Sequence, residues 1–219
     1  MNAPEITTHR VPSASEYILD NFKATDRIAV LVLNRQRGET TQRITTAQKA
    51  SSLEFQAWLR YKNANGADIY VGMNALQRHA STRTKDDIEK ISHVYLDLDR
   101  GGATSLEALE YSDLVPRPNY VLNTSPDKFQ VVWKVEGMTI EEAEALNQAM
   151  VRELDGDPAA TDSTRVLRLP GFSNKSTKQI SMCRPAPNQR GLITSAISSS
   201  KSTRRTLLGT TTRRLPANQ

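Results

Sequence analysis

Three carboxylates and two arginines are spaced so that they can meet in one place. In HVYLDLDR, residues 93–100, a single leucine separates Asp97 from Asp99. Side chains of a strand alternate faces with a period of two. An extended segment over 92–99 therefore turns Val94, Leu96 and Leu98 to a core, and His93, Tyr95, Asp97 and Asp99 to the other face. Two neighbouring carboxylates near a strand end repel each other unless a cation lies between them, and magnesium-assisted chemistry on phosphates requires such a pair. Solvated aspartates on an exposed strand give the same spacing, so the D-x-D pattern alone decides nothing. Further on, DGDPAATDSTRVLRLPGFSNK (155–175) sets Asp162 just ahead of Arg165 and Arg168. A third carboxylate would complete a two-metal site, and an arginine fork can hold phosphate oxygens; a surface salt-bridge network is the plainer alternative. Arg165 and Arg168 oppose each other if the segment is extended, so at most one of them reaches the acids. The turn expected at Pro170-Gly171 favours Arg168, held at the rim.

A third segment, LNTSPDKFQVVW (122–133), offers the hydroxyls and backbone N–H groups of a Thr-Ser turn, the charge of Lys128, and the amide of Gln130 on the same strand face as Lys128. Val131 and Trp133 alternate with these and are expected in the core; a plain hairpin with polar tips is the competing reading. Tyr95 and Phe129 are aromatic enough to stack on bases, although packing is the commoner use of such rings. The three histidines (His9, His79, His93) are scattered and there is one cysteine, Cys183. The single cysteine excludes Cys-rich zinc sites and internal disulfides, the scattered histidines disfavour a histidine cage, and a metal here would be Mg2+ or Mn2+ on carboxylates. His93, alone beside a strand, reads as structural.

The elements that must position these groups follow from patterning. Ser13 with Glu16 and Thr139 with Glu142 form capping boxes, the second opening an amphipathic helix over 140–154, and Thr104 with Glu107 predicts another helix start. Thr46 caps a predicted helix running to Leu59, with Leu53 and Trp58 on its apolar side. RIAVLVLN (27–34) and ADIYVGM (67–73) read as buried strands, with a polar hairpin-like stretch between. NYVLNTS and KFQVVWKV flank Pro126-Asp127 as a hairpin, and KQISMCR (178–184) is the last expected strand. Residues 74–90 read as a charged loop with one helical turn. The order of elements gives an α/β domain of the α+β type over residues 1–194.

Charge is divided unevenly. Residues 1–162 hold 18 Lys+Arg against 24 Asp+Glu, net −6, whereas residues 163–219 hold 11 Lys+Arg and no acid, net +11. A phosphate-rich partner suits the basic part. From Ser195 the composition turns to Ser, Thr and Arg, as in a disordered tail or linker over 195–219. No apolar run is long enough to span a membrane, and the first residues lack a signal core, so a cytoplasmic protein is expected.

The three segments, in this order, resemble the RepB-like plasmid primases of the archaeo-eukaryotic primase superfamily, over about residues 55–180. The paired acids match Asp97 and Asp99; the acid ahead of R-x-x-R-x-P-G-x-x-N matches Asp162, Arg165, Arg168, Pro170, Gly171 and Asn174; the middle motif matches Ser125, Lys128 and Gln130. Much of the wider superfamily carries a histidine where this chain has Gln130. The resemblance implies a mixed sheet with an RRM-like half carrying the acids, and two-metal nucleotidyl transfer that makes primers from NTPs or dNTPs on a single-stranded DNA template in a plasmid, phage or other mobile element. It further implies that Asp97, Asp99 and Asp162 hold the metals and act in catalysis, and that Ser125, Lys128, Gln130, Arg165 and Arg168 bind nucleotide. The rival readings are a non-catalytic RRM-like module gripping single-stranded origin DNA, and a metal-dependent nuclease. No G-x-x-x-x-G-K-[ST] pattern occurs in this sequence; a replicative helicase, if it is a partner, would be on another chain or a missing segment.

The tail carries five basic residues and no acid. Its deletion from Ser195 is expected to weaken single-stranded DNA binding and to flatten its salt dependence; binding isotherms at low and high salt check this, and identical isotherms would make it a mere linker.

Overall fold

The computed structural model describes residues 12–112, 115–177, 180–185 and 193–194; the tail lies outside them. Two sheets form the frame. In the first, the aliphatic β1 (Arg27–Asn34) pairs antiparallel along its whole length with β2 (Glu39–Thr46), and over Val30–Leu33 with β3 (Asp68–Gly72). β3 pairs with β9 (Val166–Arg168), and two short strands, β4 (Ala75–Leu76) and β5 (Ile88–Lys90), extend the sheet beside Arg27.

The second sheet carries the acids. β8 (Lys128–Glu136) is flanked antiparallel by β6 (His93–Leu98) and β7 (Tyr120–Ser125). β10 (Met182–Pro185) adds to β7 antiparallel, and β11 (Ile193–Thr194) to the end of β8 in parallel. With α4 (Gly102–Glu110) between β6 and β7, and α5 (Ile140–Leu154) after β8, the order is βαββα with its third strand between the first two. This is the RRM-like half that the resemblance implies, and the whole is of the α+β class.

Both faces of this sheet are buried, beyond the single apolar face expected for 92–99, because its strands carry apolar or aromatic residues on both faces. Val94, Leu96, Leu98, Val131 and Trp133 join Leu109 of α4 and Ala143, Met150 and Val151 of α5 in one core. Tyr95, Tyr120, Leu122 and Val132 join the other, which includes Val30, Val32, Ile69, Val71 and Leu167 of the first sheet and Ala14, Tyr17 and Ile18 of α1 (Ala14–Asn21). Trp133, fully buried, donates its indole N–H to the Pro116 carbonyl at 2.8 Å, so its one polar atom is satisfied.

The capping boxes at Ser13/Glu16 and Thr139/Glu142 form as the sequence predicts. Three local expectations are corrected. The helix expected from Thr46 to Leu59 is two helices, α2 (Ala47–Ala50) capped by Thr46 and α3 (Leu53–Ala64) capped by Ser52. Ser52 offers its hydroxyl to Phe55 N and restarts the helix, which leaves Leu53 in the first turn and 87% exposed. α4 begins at Gly102, ahead of Thr104, because Asp127 reaches across from the β7–β8 turn to accept from Ala103 N at 2.8 Å. The 74–90 segment has the one helical turn expected, a 3-10 turn at Lys85–Asp87, but also the two short strands β4 and β5, which were not expected. Of the strand expected over 178–184, Met182–Arg184 lie in β10; residues 178–179 are not among those described.

Gly156 closes the segment after α5 onto β6. A Cβ there would stand 2.4 Å from Leu96 Cδ1 and 3.1 Å from Val151 Cγ2, while the next residue's N–H, that of Asp157, donates to the Asp97 carbonyl at 2.8 Å. Gly156→Ala overpacks this contact and is expected to destabilise the fold by about 1–3 kcal/mol, read as a lower urea midpoint at an unchanged slope.

Candidate active site

Along β6, β8 and β7 the side chains on one face change from apolar to polar in step. Tyr95 is followed by Asp97 and Asp99, Val132 by Gln130 and Lys128, and Leu122 by Thr124. Asp97 and Gln130 stand directly opposite in the register. Where the apolar filling stops, a cavity of about 630 Å³ opens, lined by these polar residues, by Ser125, Asp162 and Arg165, and by Leu31, Leu33, Arg35, Tyr70, Arg83 and Arg168. All eight residues singled out in the sequence therefore border one cavity.

Asp97 is 8% exposed. Gln130 donates to its Oδ2 at 3.4 Å, and Arg165 Nη2 lies 3.9 Å from the same oxygen. Burial first, then the Asp99 charge, push the Asp97 carboxyl up to about 6, against the pull of Gln130 and Arg165. Asp99, just past the strand end, pairs with Lys128 at 3.2 Å. Asp162 stands on another wall: its Oδ1 accepts from Thr164 N at 3.0 Å, and its carbonyl takes the Tyr95 hydroxyl. Among the described residues no three His, Cys, Asp or Glu side chains converge into a ready metal-holding cluster. What the chain offers a cation is the crowded Asp97–Asp99 pair, with Asp162 across the cavity. An all-oxygen donor set with repulsion only partly relieved at Asp97 fits a hard divalent ion such as Mg2+ or Mn2+.

Gln130 holds the two sheets together at the site. Its amide donates to Asp97 while its Oε1 accepts from Arg168 N of β9 at 3.0 Å. The two arginines of the third segment have different partners. Arg165 faces the acids, lying 3.9 Å from Asp97 and 3.7 Å from Asp157, and donates to the Ala159 carbonyl. Arg168 is committed to the wall: Nη1 donates to Asp68 Oδ1 at 2.9 Å, and the guanidinium lies 5.0 Å from the Tyr70 ring centroid.

Sequence reasoning missed Asp68 and Arg35. Asp68, 2% exposed, accepts from Arg168 and Lys175 N on Oδ1 and from Arg35 on Oδ2. One acid opening the otherwise apolar IYVGM strand was the available signal. His93 is structural, as read: it is buried against the Met73 carbonyl and Asn21 Oδ1, edge-on to Phe22, and burial pushes its imidazole down to about 4. Tyr95, Val131 and Trp133 are core residues. Phe129 packs partly buried against the α4/α5 core.

With this geometry in view, the comparisons with known proteins agree among themselves. The RepB DNA-primase N-terminal domain family matches residues 35–187. This chain belongs to that family. The matched residues include β6, β8, β9 and every residue of the site named from sequence. The chain is 29% identical over 154 residues to mobilization protein A of Escherichia coli, and 23% identical over 162 residues to a replication protein of Clostridium perfringens. It covers 19% and 39% of the lengths of those relatives, with 70% and 67% of itself in the matches. Among solved structures, the catalytic domain of primase RepB′ in complex with initiator DNA has the same fold, with a TM-score of 0.63 at 22% identity over 90% of this chain and 97% of that one. The archaeo-eukaryotic primase domain of the cyanophage S-2L primase-polymerase gives 0.58 at 16% identity, over 80% and 88%.

A carboxyl raised on folding costs stability whenever it is ionised. The Asp97 cost is fully present above about pH 6, shrinks as pH falls, and is gone below the ordinary carboxylate value near 4. In metal-free buffer Asp97→Asn is therefore expected to raise the melting temperature by several degrees at pH 7.5 and hardly at all at pH 4. Equal shifts at both values would show that Asp97 carries no such strain.

Proposed function

We propose that this chain is the catalytic domain of a primase, joining nucleoside triphosphates into short primers on single-stranded DNA during replication of a plasmid, phage or related element. The observation that carries this reading is the Asp97–Asp99 pair at the polar end of a buried sheet, in a cavity lined by five cations. Family membership supports the same reaction. Five cations beside three acids fit a triphosphate and a strand better than hydrolysis of a single phosphodiester, which argues against the nuclease.

Asp97 and Asp99 would hold a divalent cation, with Asp162 as a further oxygen donor, and that ion supplies neutralisation of the triphosphate and activation of the attacking hydroxyl. Arg165, beside Asp97, is placed to fork onto phosphate oxygens. Lys128 lies beside Asp99 and has an alternative partner once phosphate arrives. Ser125 and Thr124 border the same wall with hydroxyls, and Gln130 fixes the orientation of Asp97. The bond formed joins the 3′-oxygen to the α-phosphorus, and pyrophosphate departs. The clamp is assigned to Arg165 rather than Arg168, because the Arg168 fork is already occupied by Asp68. No described helix is long and apolar enough to cross a membrane, and a helicase on another chain is the natural partner for primer use.

Primer synthesis on a defined single-stranded template tests this. Asp97→Ala and Asp99→Ala are each expected to abolish product while the circular dichroism spectrum is kept. Arg165→Lys should raise the apparent nucleotide KM several-fold, since lysine cannot copy the fork, and Arg165→Ala should lower kcat as well. Wild-type rates in the double aspartate variant would remove the assignment.

A further inference from the structure

One cation of the cavity has no acid to hold it. Lys128 pairs with Asp99, Arg165 sits near Asp97 and Asp157, and Arg35 and Arg168 share Asp68. Among the described residues, Arg83 makes no ion pair; its Nε–H reaches only the neutral amide of Gln42, at 3.4 Å. Its side chain is nonetheless half-buried and borders the cavity. An arginine taken partly out of water without a carboxylate is left with unspent hydrogen-bonding capacity.

The chain holds Arg83 in this place by several devices. Gly72 of β3 provides its bed: a Cβ at Gly72 would lie 3.4 Å from Arg83 Cδ. On either side, Thr82 and Thr84 both donate to the Asp87 carboxylate, and that carboxylate also accepts Thr84 N at 3.0 Å. Lys85 ties the same turn to Glu144 of α5 at 2.8 Å, and Glu144 accepts from Ser163 N at 2.9 Å, next to Asp162. The turn carrying Arg83 is thus fastened to the segment carrying Asp162. The guanidinium also lies within electrostatic reach of Asp162 and Arg165, and burial lowers its pKa.

We propose that Arg83 is a second phosphate-binding residue of the cavity, receiving a phosphate that Arg165 does not hold. This rests on the nucleotidyl-transfer reading and adds to it a contact from the wall formed by the first sheet. The phosphate belongs either to the polyphosphate tail of the nucleotide or to the backbone of the DNA strand. An arginine donating charge-assisted bonds to phosphate is worth about tenfold or more in affinity.

The test measures two probes on the full chain in Mg2+ buffer: inorganic tripolyphosphate, and a short oligodeoxynucleotide across a salt series. Wild type is compared with Arg83→Gln and with Arg83→Lys, which keeps the charge and loses the fork. If the phosphate is the nucleotide's, Arg83→Gln weakens tripolyphosphate about tenfold and leaves the oligonucleotide unaffected. If it is the strand's, the oligonucleotide weakens and the slope of log affinity against log salt falls in magnitude by about 0.7. In either case Arg83→Lys is expected to recover affinity only in part. Unchanged binding of both probes in Arg83→Gln, with the wild type binding them, overturns the Arg83 assignment alone. A wild type that binds neither probe overturns the nucleotidyl-transfer reading together with it.

Discussion

The Asp97 carboxylate sits where the packing leaves it little water, and the arrangement of the site follows from how that charge is tolerated. Its strand is covered by α4 and α5 on one side and by the second core on the other, so the charge cannot be solvated freely. A neutral amide and an arginine at 3.9 Å relieve it only in part, and Asp99 works against them. A buried carboxylate so poorly matched costs free energy in the absence of a cation. The apolar rows on β6, β7 and β8 position it, because they fix register and burial up to the point where the polar residues begin.

Asp68 shows the contrast. It is more deeply buried than Asp97, yet two arginines and a backbone N–H saturate its oxygens. That acid organises a wall, turning Arg35 and Arg168 into fixed positive charge beside the cavity. Asp97 is left short of partners and is available to chemistry. What separates the two acids here is the number and quality of the groups that compensate them, not the depth of burial. Gln130 links the two halves of the structure, since one amide contacts Asp97 in one sheet and the Arg168 backbone in the other. That double role gives the glutamine a physical reason to stand there.

Much of this was legible in the sequence where the signal was periodic. Alternation in 92–99 and 128–135 predicted which residues pack toward α4 and α5, but not that Tyr95 and Val132 on the opposite face are buried as well; the helix over 140–154 has the predicted bounds because its capping box and amphipathic face agree. Short-range signals failed where a distant group overrode them. Asp127 supplies the cap for α4 from another turn, and Ser52 splits a helix whose apolar spacing runs straight through it. The three site motifs were visible because their residue types are unusual beside apolar strands. Asp68, Arg35 and Arg83 were not, since a lone polar residue at a strand edge or in a charged loop acquires meaning only when the two sheets come together. The choice between Arg165 and Arg168 likewise depends on Asp68, which lies about a hundred residues earlier in the chain.

On this proposal the carboxylates at the end of β6 and the cations around them form one site for a divalent ion and a triphosphate. Anomalous diffraction from crystals grown with Mn2+ and a non-hydrolysable nucleoside triphosphate tests it most directly. The account predicts a manganese peak ligated by Asp97 and Asp99, with the triphosphate in the cavity and Arg165 on its oxygens. A peak elsewhere on the chain, or a nucleotide bound away from these acids, would contradict it.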